Sequence, residues 1–405
     1  MNQSLRKNSC IYLDYAATTP CLPEVVAAMA PYWSEKFGNP ASQLHSYGWQ
    51  SKAALDQATS RIAAVLNTDA KQLVFTSGAS ESIQIFLFSL VETLWREAGQ
   101  RAVHALSSPL EHNAVVKTLK KLSDLGWLEL EMVKSLPDGR IDFADLQLKT
   151  RPETKLISVM AVNNELGSFN PIDQISQWCS ARDIFFHTDA TQAMGKFPIP
   201  LHHWPITALS FSSHKFQGPK GVGGLFVRRP WLQNLSNWSF GGGQDHGFRS
   251  GTQAVPLVVG MAEALDHASL SLEKNWQHVS GLGARLLDHL RAKKILFRLN
   301  GPAWEGCEWN SSTSPSLPTR TPYVMNLTFD DQPIDLRLSS LAGLAFSVGS
   351  ACHGVDFSMS HVLRGLGLSQ NEARSTLRLS FGAPSTLAEI DAAAEILTSA
   401  FAKAP

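Results

Sequence analysis

Residues Ala208 to Gly224 read ALSFSSHKFQGPKGVGG, and this stretch contains the most informative pattern of the sequence. Its apolar beginning is typical of a buried strand, and the strand ends in polar residues that include Lys215. No carboxylate stands next to this lysine in the sequence, so burial favours loss of its proton and a role as an amine nucleophile. The glycines from Gly218 to Gly224 form a turn that lets the backbone approach a phosphate or a ring closely. An ordinary surface lysine before a turn fits the same stretch.

Size and charge restrict the class of protein. The chain has 405 residues, enough for a large core and two domains. Lysine plus arginine and aspartate plus glutamate number 35 each, which gives a formal net charge of zero. Nucleic acid and anionic membranes attract proteins with a basic excess. We therefore expect no nucleic acid and no membrane among the partners.

The cysteines indicate a reducing environment. They are odd in number, widely spaced and without a CxxC pair, which is not typical of a disulfide scaffold or a zinc site. They are Cys10, Cys21, Cys179, Cys307 and Cys352. No metal is predicted, since no His, Cys, Asp or Glu set has ligand spacing. The N-terminus has no apolar region typical of a signal peptide, and we expect a cytoplasmic protein.

Short apolar strands alternate with helices from about residue 73 to residue 227, a pattern that indicates a largely parallel α/β sheet. Three successive strands end in polar side chains. Open α/β sheets bind ligands at the carboxyl ends of their strands, so these side chains are expected to share one crevice. The three sets are Asn163, Asn164 and Glu165; His187, Asp189 and Gln192; and His214 and Lys215.

An earlier strand, LVFTSG, ends at Gly78 and precedes a predicted helix from about Ala79 to Ala98. The free N–H groups and the dipole of a helix N-terminus favour an anion. The segment TSGAS is therefore a candidate phosphate site. It matches neither the Walker motif nor the dinucleotide fingerprint, and a plain strand-to-helix turn is the other interpretation.

The character of the sequence changes after about residue 253. Long helices lead to a loop at 301–322 that is rich in Ser, Thr and Pro and is predicted to be exposed. A smaller α+β domain follows, with a predicted helix near Ile334 to Leu344, the Cys352 loop, the strand LRLSF and a last helix. Thr386 and Glu389 have capping-box spacing for that helix. We expect a large domain at 15–262 and a small domain formed by 1–14 and 263–405.

If Lys215 binds the aldehyde of pyridoxal phosphate (PLP), the cofactor needs further groups. A carboxylate beside the pyridine nitrogen lets the ring accept electrons, and Asp189 on the preceding strand is the candidate. The other candidates are Gln192 and Asn164 for the ring oxygen, Ser80, Ser212 and His214 for the phosphate, and His112 for stacking on the ring.

The motifs, taken in order, resemble those of the cysteine desulfurases, a branch of the class V aminotransferases with PLP fold type I. The resemblance runs from about Tyr12 to the last helix. It rests on YLDYAATTP, FGNPAS, TSGASES, EHNAV, VNNELG, HTDATQAMGK, SFSSHKFQGPKG, GGGQDHGFRSGT, GSAC and STLRLSFG. It implies a large, mainly parallel sheet domain flanked by helices, with a smaller α+β domain.

The resemblance also implies roles for individual residues. Lys215 would hold PLP and move protons, His112 would stack on the ring and assist proton transfer, and Arg378 would bind the substrate carboxylate together with Asn164. Thr252 would reach the phosphate from the other subunit of a homodimer. The cofactor-binding set would be Lys215, Asp189, Gln192, Asn164, His112, Ala79, Ser80, Ser212, His214 and Thr252.

Cys352, in GSACHG, would accept the sulfur of L-cysteine as a persulfide, leaving L-alanine. A sulfur-acceptor protein, either an iron–sulfur scaffold or a thiolation factor, would then be a partner. Ser80 stands where the family usually has threonine, and Val348 and His353 stand where small hydroxyl residues are usual. The alternatives are a selenocysteine lyase or a class V aminotransferase on the same fold, and a regulatory homologue without PLP.

Overall fold

The computed structural model describes residues 10–229, 231–309, 317–330, 332–348, 350–353 and 356–402, and for His246 and residues 350–353 and 356–358 it describes the backbone alone. The α-helices are α1 Pro23–Met29, α2 Pro31–Ser34, α3 Ser46–Leu66, α4 Ala79–Glu97, α5 Asn113–Asp124, α6 Phe143–Lys149, α7 Ile172–Ser180, α8 Val255–Ser269, α9 Leu272–Ala292, α10 His361–Gly365, α11 Gln370–Arg374 and α12 Leu387–Phe401. The strands are β1 Ile11–Tyr12, β2 Leu73–Thr76, β3 Val103–Ser107, β4 Leu128–Met132, β5 Thr154–Ser158, β6 Phe185–Asp189, β7 Ala208–Ser212, β8 Gly223–Val227, β9 Arg298–Asn300, β10 Val324–Thr328, β11 Leu344–Ala345, β12 Ser347–Val348, β13 Ser350–His353, β14 Asp356–Met359 and β15 Thr376–Ser380.

Strands β2 to β8 form one large sheet in the order β2-β8-β7-β6-β5-β3-β4. Neighbours from β7 to β4 pair in parallel. Strand β8 is antiparallel to both of its neighbours, so it alone in this sheet runs in the opposite direction. The predicted mainly parallel α/β sheet is confirmed.

Helices cover both faces of this sheet, as a parallel sheet requires. On one face, Ala208 and Leu225 belong to the apolar cluster that contains helices α4 and α5. Their neighbours Leu209 and Phe226 belong to the cluster on the other face, with α3, α7 and α8. Successive strand residues therefore point to opposite cores, which explains the continuous apolar runs in the sequence.

A second, antiparallel sheet has the order β12-β15-β10-β9. The N-terminal arm connects to this region through β1, which pairs in parallel with β11. The proposed boundary between residues 262 and 263 falls inside helix α8, and the division into two domains stays a prediction.

The capping box predicted for the last helix is confirmed. The hydroxyl of Thr386 accepts a hydrogen bond from the N–H of Glu389 at 3.2 Å, and the Glu389 carboxylate accepts one from the N–H of Thr386 at 2.8 Å. The two bonds satisfy donors at the start of α12 that the helix itself cannot satisfy.

Two local predictions are wrong. The segment predicted as a helix near Ile334 to Leu344 contains a 3-10 turn at Ile334–Arg337, followed by turns and β11. The loop at 301–322 was expected to be exposed, but Arg320 is fully buried and donates hydrogen bonds to the carbonyls of Asn300, Pro302 and Val324. Residues 310–316 of that loop lie outside the described residues.

The close contact of β8 with β7 gives a stability prediction. A Cβ on Gly224 would lie 2.1 Å from Cζ of the buried Phe211 ring. We expect Gly224→Ala to destabilise the fold by about 1–3 kcal/mol, because overpacking forces the ring to move. The control is Gly281→Ala on helix α9, where a Cβ meets nothing within 4 Å and alanine is favoured by about 0.5–1 kcal/mol. Thermal unfolding measures both changes, and equal melting temperatures would contradict this packing.

Candidate active site

Polar side chains at the ends of several strands line one cleft of about 670 Å³ at the carboxyl edge of the large sheet. Of the strand-end residues expected to share it, Asn163, Glu165 and His187 do not line this cleft. Helix α4, the N-terminal arm and strand β15 complete its walls. All of the predicted site residues except Thr252 and Cys352 line this cleft. They are His112, Asn164, Asp189, Gln192, Lys215, Ala79, Ser80, Ser212, His214 and Arg378.

Thr252 and Cys352 are the two predicted residues that the cleft does not include. Thr252 is exposed and lies seven residues after Asp245, the first residue of a 3-10 turn. The backbone of Cys352 lies in β13, opposite Phe357 of β14. Its side chain lies outside the described part of the chain, as does that of His353. The roles of both predicted residues stay predictions.

Lys215 ends the 3-10 turn that follows β7, and its amine points into the cleft. Nζ donates hydrogen bonds to the backbone carbonyls of Ala16 at 2.6 Å and Ala17 at 2.7 Å. Burial and the positive charge of Arg378 lower the pKa of Lys215 to about 8, against the opposing effect of Asp189. A large fraction of this amine is therefore neutral near pH 8, as a nucleophile requires.

Asp189 and Gln192 form the buried floor of the cleft. Asp189 is 4% exposed, and its Oδ1 accepts a hydrogen bond from the N–H of Thr191 at 2.9 Å. Gln192 is equally buried, and its Nε2 donates to the carbonyl of Ala16 at 2.9 Å. The end of β6 and the short turn after it therefore place a carboxylate and an amide in the same cleft as the Lys215 amine.

One end of the cleft suits an anion. Helix α4 begins there, and the first-turn N–H groups of Ala79 and Ser80 have no partner inside the helix. A Cβ on Gly78 would lie 3.7 Å from the hydroxyl of Ser212 and would occupy the space between them. Burial and the nearby charges of Lys215 and Lys220 lower the pKa of His214 to about 4, so its ring is neutral at pH 7.

His112 is the N-cap of helix α5, where its Nδ1 accepts a hydrogen bond from the N–H of Ala114 at 3.1 Å. This bond fixes the protonated nitrogen of the neutral ring as Nε2. The preceding residue, Glu111, is fully buried, and its Oε1 accepts a hydrogen bond from the N–H of Met160 at 2.7 Å. Burial raises the pKa of Glu111 well above its usual range.

Arg378 approaches the cleft from β15 and is held by several contacts. Its Nη2 donates to Asp14 Oδ1 at 2.8 Å and to Ser347 Oγ at 2.7 Å, while Nη1 donates to the carbonyl of Asn164 at 3.1 Å. Nε is buried and has no partner among the described residues. The guanidinium is thus oriented, with donor capacity left for a carboxylate.

Sequence reasoning missed several groups of the cleft. The carbonyls of Ala16 and Ala17 could not be recognised, because every residue has a backbone acceptor. Thr191 and Lys220 stand inside quoted motifs, so their position in HTDATQAMGK and SFSSHKFQGPKG was the available signal. Asp14, in YLDYAATTP, was not predicted as the partner of Arg378.

The described part of the chain has neither a metal site nor a membrane-spanning helix. No group of three or more His, Cys, Asp or Glu side chains there could hold a metal ion. Each described helix is too short or too polar to cross a membrane.

Comparison with known proteins gives the family. The model of the family described as aminotransferase class-V matches residues 11–393. Cysteine desulfurase IscS of Vibrio vulnificus (strain YJ016) is 39% identical over 395 residues, which are 97% of this chain and 93% of the relative. This chain belongs to the cysteine desulfurases of the class-V aminotransferase family.

Other desulfurase relatives extend the similarity. The mitochondrial cysteine desulfurase of Arthroderma benhamiae is 38% identical over 385 residues, covering 95% of this chain and 73% of the relative. A solved structure named NifS-like protein has a TM-score of 0.85 and 28% identity, covering 96% of this chain and 98% of the other. The structure titled SspA in complex with cysteine has a TM-score of 0.77 and 31% identity, covering 93% and 99%.

The charges around Lys215 predict a pH dependence. In the cofactor-free protein, the rate at which trinitrobenzenesulfonate modifies Lys215 should reach half its maximum near pH 8, because only the neutral amine reacts. Arg378→Gln removes a charge that lowers the pKa, so its midpoint should rise. Asp189→Asn removes a charge that raises the pKa, so its midpoint should fall. Peptide mass spectrometry follows the modification, and identical midpoints in all three proteins would contradict this electrostatic arrangement.

Proposed function

We propose that this protein is a PLP-dependent cysteine desulfurase that converts L-cysteine to L-alanine and leaves a persulfide on Cys352. The observation that carries the proposal is the Lys215 amine, mostly buried and with a lowered pKa, in the same cleft as the buried Asp189 carboxylate. Membership of the desulfurase family supports the choice of reaction, and the relative SspA was solved in complex with cysteine.

The residues of the cleft fit PLP at both of its ends. Lys215 supplies an amine for the aldehyde, and Asp189 supplies a carboxylate for the pyridine nitrogen. The start of helix α4, with Ser80 and the Ser212 hydroxyl, supplies donors for the phosphate. His214, neutral at pH 7, adds a polar side chain to that end, as predicted from the motif.

Gln192, Asn164 and His112 would hold the ring itself. Gln192 is fixed by its bond to the carbonyl of Ala16, and Asn164 lies at the cleft wall beside Arg378. His112 is oriented by the N–H of Ala114, which leaves its Nε2 side available to the cleft. These three roles follow the prediction from sequence and complete a binding set that comes from the ends of five strands, β2, β3, β5, β6 and β7.

Bound PLP supplies an electron sink that stabilises negative charge at the substrate Cα. The chain's own residues then position the substrate and move protons. Arg378 holds the carboxylate of L-cysteine, with its guanidinium oriented by Asp14 and Ser347. Lys215 accepts the Cα proton at Nζ, for which a pKa near 8 is well matched to neutral pH.

Cys352 carries the sulfur. Its thiolate attacks the sulfur of L-cysteine, an S–S bond forms, and the C–S bond of the substrate breaks. The electron pair of that bond stays with the carbon, which takes up protons and leaves as L-alanine. The thiol proton leaves before the attack, since a free thiol of pKa about 8.5 is mostly protonated at pH 7. The base proposed for it is His353, next to Cys352 in the sequence, because His112 Nδ1 already accepts a hydrogen bond from Ala114 and its Nε2 carries a proton. A second thiol, from a reductant or an acceptor protein, removes the sulfur.

The proposal also includes the quaternary state, the cellular compartment and the sulfur acceptor. We propose a homodimer in which Thr252 of one subunit contacts the phosphate in the other, supported by the exposure of Thr252 and its position outside the cleft of its own chain. The four cysteines with described side chains are free, which fits a reducing cytoplasmic compartment. An iron–sulfur scaffold or a thiolation factor would receive the sulfur.

The activity is tested with purified protein, L-cysteine and a thiol reductant. Alanine and sulfide should appear in equal amounts, because each C–S cleavage yields one of each. Cys352→Ser should lose both products and keep the visible absorbance of bound PLP. Cys10→Ser is the matched control, since Cys10 is exposed and outside the cleft, and it should retain full activity. Normal sulfide release by Cys352→Ser would refute the role of Cys352, and a protein without PLP absorbance would refute the cofactor.

The shared site is tested by mixing two variants. Thr252→Val should weaken PLP binding about tenfold to a hundredfold, the effect of losing one hydrogen bond to a charged group. Lys215→Ala removes the amine. In a mixed dimer, the subunit that retains Lys215 receives Thr252 from its partner. One of the two sites in each mixed dimer should therefore regain normal PLP affinity. Equilibrium dialysis of the re-associated proteins measures this, and no recovery in mixed dimers would place Thr252 outside the partner's site.

A further inference from the structure

Lys196 is a buried lysine that the proposed mechanism does not use. It is 6% exposed, and no carboxylate of the described residues forms an ion pair with it. Its Nζ lies 5.4 Å from the centroid of the Tyr323 ring and 2.9 Å from Oε1 of Gln192. Burying an ammonium group without a carboxylate costs free energy. A specific contact must therefore account for a lysine at this position.

The contact with Gln192 is specific because it determines which end of the amide faces which neighbour. A lysine ammonium can only donate, so the carbonyl end of Gln192 faces it, and Nζ donates to Oε1 at 2.9 Å. The opposite end must face the carbonyl of Ala16, which can only accept, and Nε2 donates to it at 2.9 Å. Both ends of the amide are thus assigned, and one N–H of Nε2 is left for the cleft that Gln192 lines.

The turn after β6 brings the two side chains together. Gln192 and Lys196 are four residues apart in a segment where Met194 and Phe197 donate to carbonyls four residues earlier. Side chains at this spacing lie on the same side of a helical turn. The contact is therefore built into the backbone and does not depend on a long flexible reach.

The hydrogen bond between Lys196 and Gln192 is also linked to Lys215, the proposed nucleophile. The carbonyl of Ala16 accepts hydrogen bonds from both Gln192 Nε2 and Lys215 Nζ. Lys196 is thus connected to Lys215 through one amide and one carbonyl. Burial and the charges of Lys215 and Arg378 lower the pKa of Lys196 to about 7, and both the neutral and the charged amine can donate to Gln192. The contact with the amide persists in either protonation state.

We propose that Lys196 is a positioning residue that holds the Gln192 amide with its N–H toward the cofactor ring oxygen. The inference rests on the proposed function, since it assigns PLP to the cleft. The ring oxygen of PLP is an acceptor, and an amide turned the other way would present a second acceptor to it. Lys196 therefore acts on cofactor binding through Gln192, without touching the cofactor.

A double-mutant cycle separates this role from a general effect of charge. Lys196→Met keeps the length and removes the donor, while Gln192→Leu removes the amide. The dissociation constant of PLP and the pH midpoint of its visible absorbance are measured for both single variants and the double variant. We expect Lys196→Met to weaken PLP binding about tenfold and to raise the pH midpoint, because the ring oxygen loses its donor. In the Gln192→Leu protein, Lys196→Met should change either quantity by less than about twofold.

A variant that keeps a hydrogen-bond donor at position 196 should restore PLP affinity. A cavity of about 140 Å³ adjoins Lys196, which gives room for a longer side chain. Lys196→Arg retains a donor and should restore PLP affinity to within about threefold of the unchanged protein. Thermal unfolding of the cofactor-free variants checks that all of them fold. Lys196→Met removes a buried ammonium group that has no carboxylate partner but leaves Oε1 of Gln192 without a donor, so the two effects on stability oppose each other.

Two results would overturn the inference. Equal effects of Lys196→Met with and without the Gln192 amide would show that Lys196 acts through its charge. Unchanged PLP affinity and absorbance in a folded Lys196→Met protein would show that it plays no part in the site. Absence of PLP binding by the unchanged protein is a different outcome, because it refutes the proposed function itself before any variant is compared.

Discussion

The site depends on the hydrogen bonds between the Lys215 amine and the carbonyls of Ala16 and Ala17. Lys215 belongs to the large sheet, whereas the two carbonyls belong to the N-terminal arm. That arm is in turn held by backbone bonds from Leu13 to Ala345 and from Ser380 to Leu13. A single, partly buried amine is therefore positioned by three distant parts of the chain. The packing of the N-terminal arm therefore sets the distances from Lys215 Nζ to the carbonyls of Ala16 and Ala17.

The large sheet could be predicted from the sequence because its strands are buried on both faces. Such strands appear as continuous apolar runs, and the helices between them require parallel pairing. The segment from Ile334 to Leu344 has apolar residues at helical intervals, but Leu336 and Leu338 are largely exposed and the chain must turn into β11. Tertiary pairing with β1 overrides local preference there. The burial of Arg320 could not be predicted from the sequence either, because its partners are backbone carbonyls, which every residue has.

The sequence likewise revealed only part of the candidate site. Side chains with characteristic chemistry, such as Asp189 and Lys215, could be placed in one crevice by their position at strand ends. Groups that act through backbone atoms, or through another side chain, left little trace in the sequence. The amide of Gln192 was predicted, whereas Lys196 four residues later was not, because a lysine after a glycine is an ordinary surface pattern. Its burial is visible only once the arm and Tyr323 are packed around it.

The pairing of β1 with β11 also determines when the site can be completed. The arm is synthesised first, but its partner strand follows more than 300 residues later. Closing so long a loop is slow relative to forming local helices and hairpins. The large sheet can therefore form before β1 is paired, with the arm held next to Lys215 by the bonds from Thr19 to His214 and from Gln192 to Ala16. Folding of the site therefore ends with a long-range step, the docking of β1 on β11, which should be slower than formation of the large sheet.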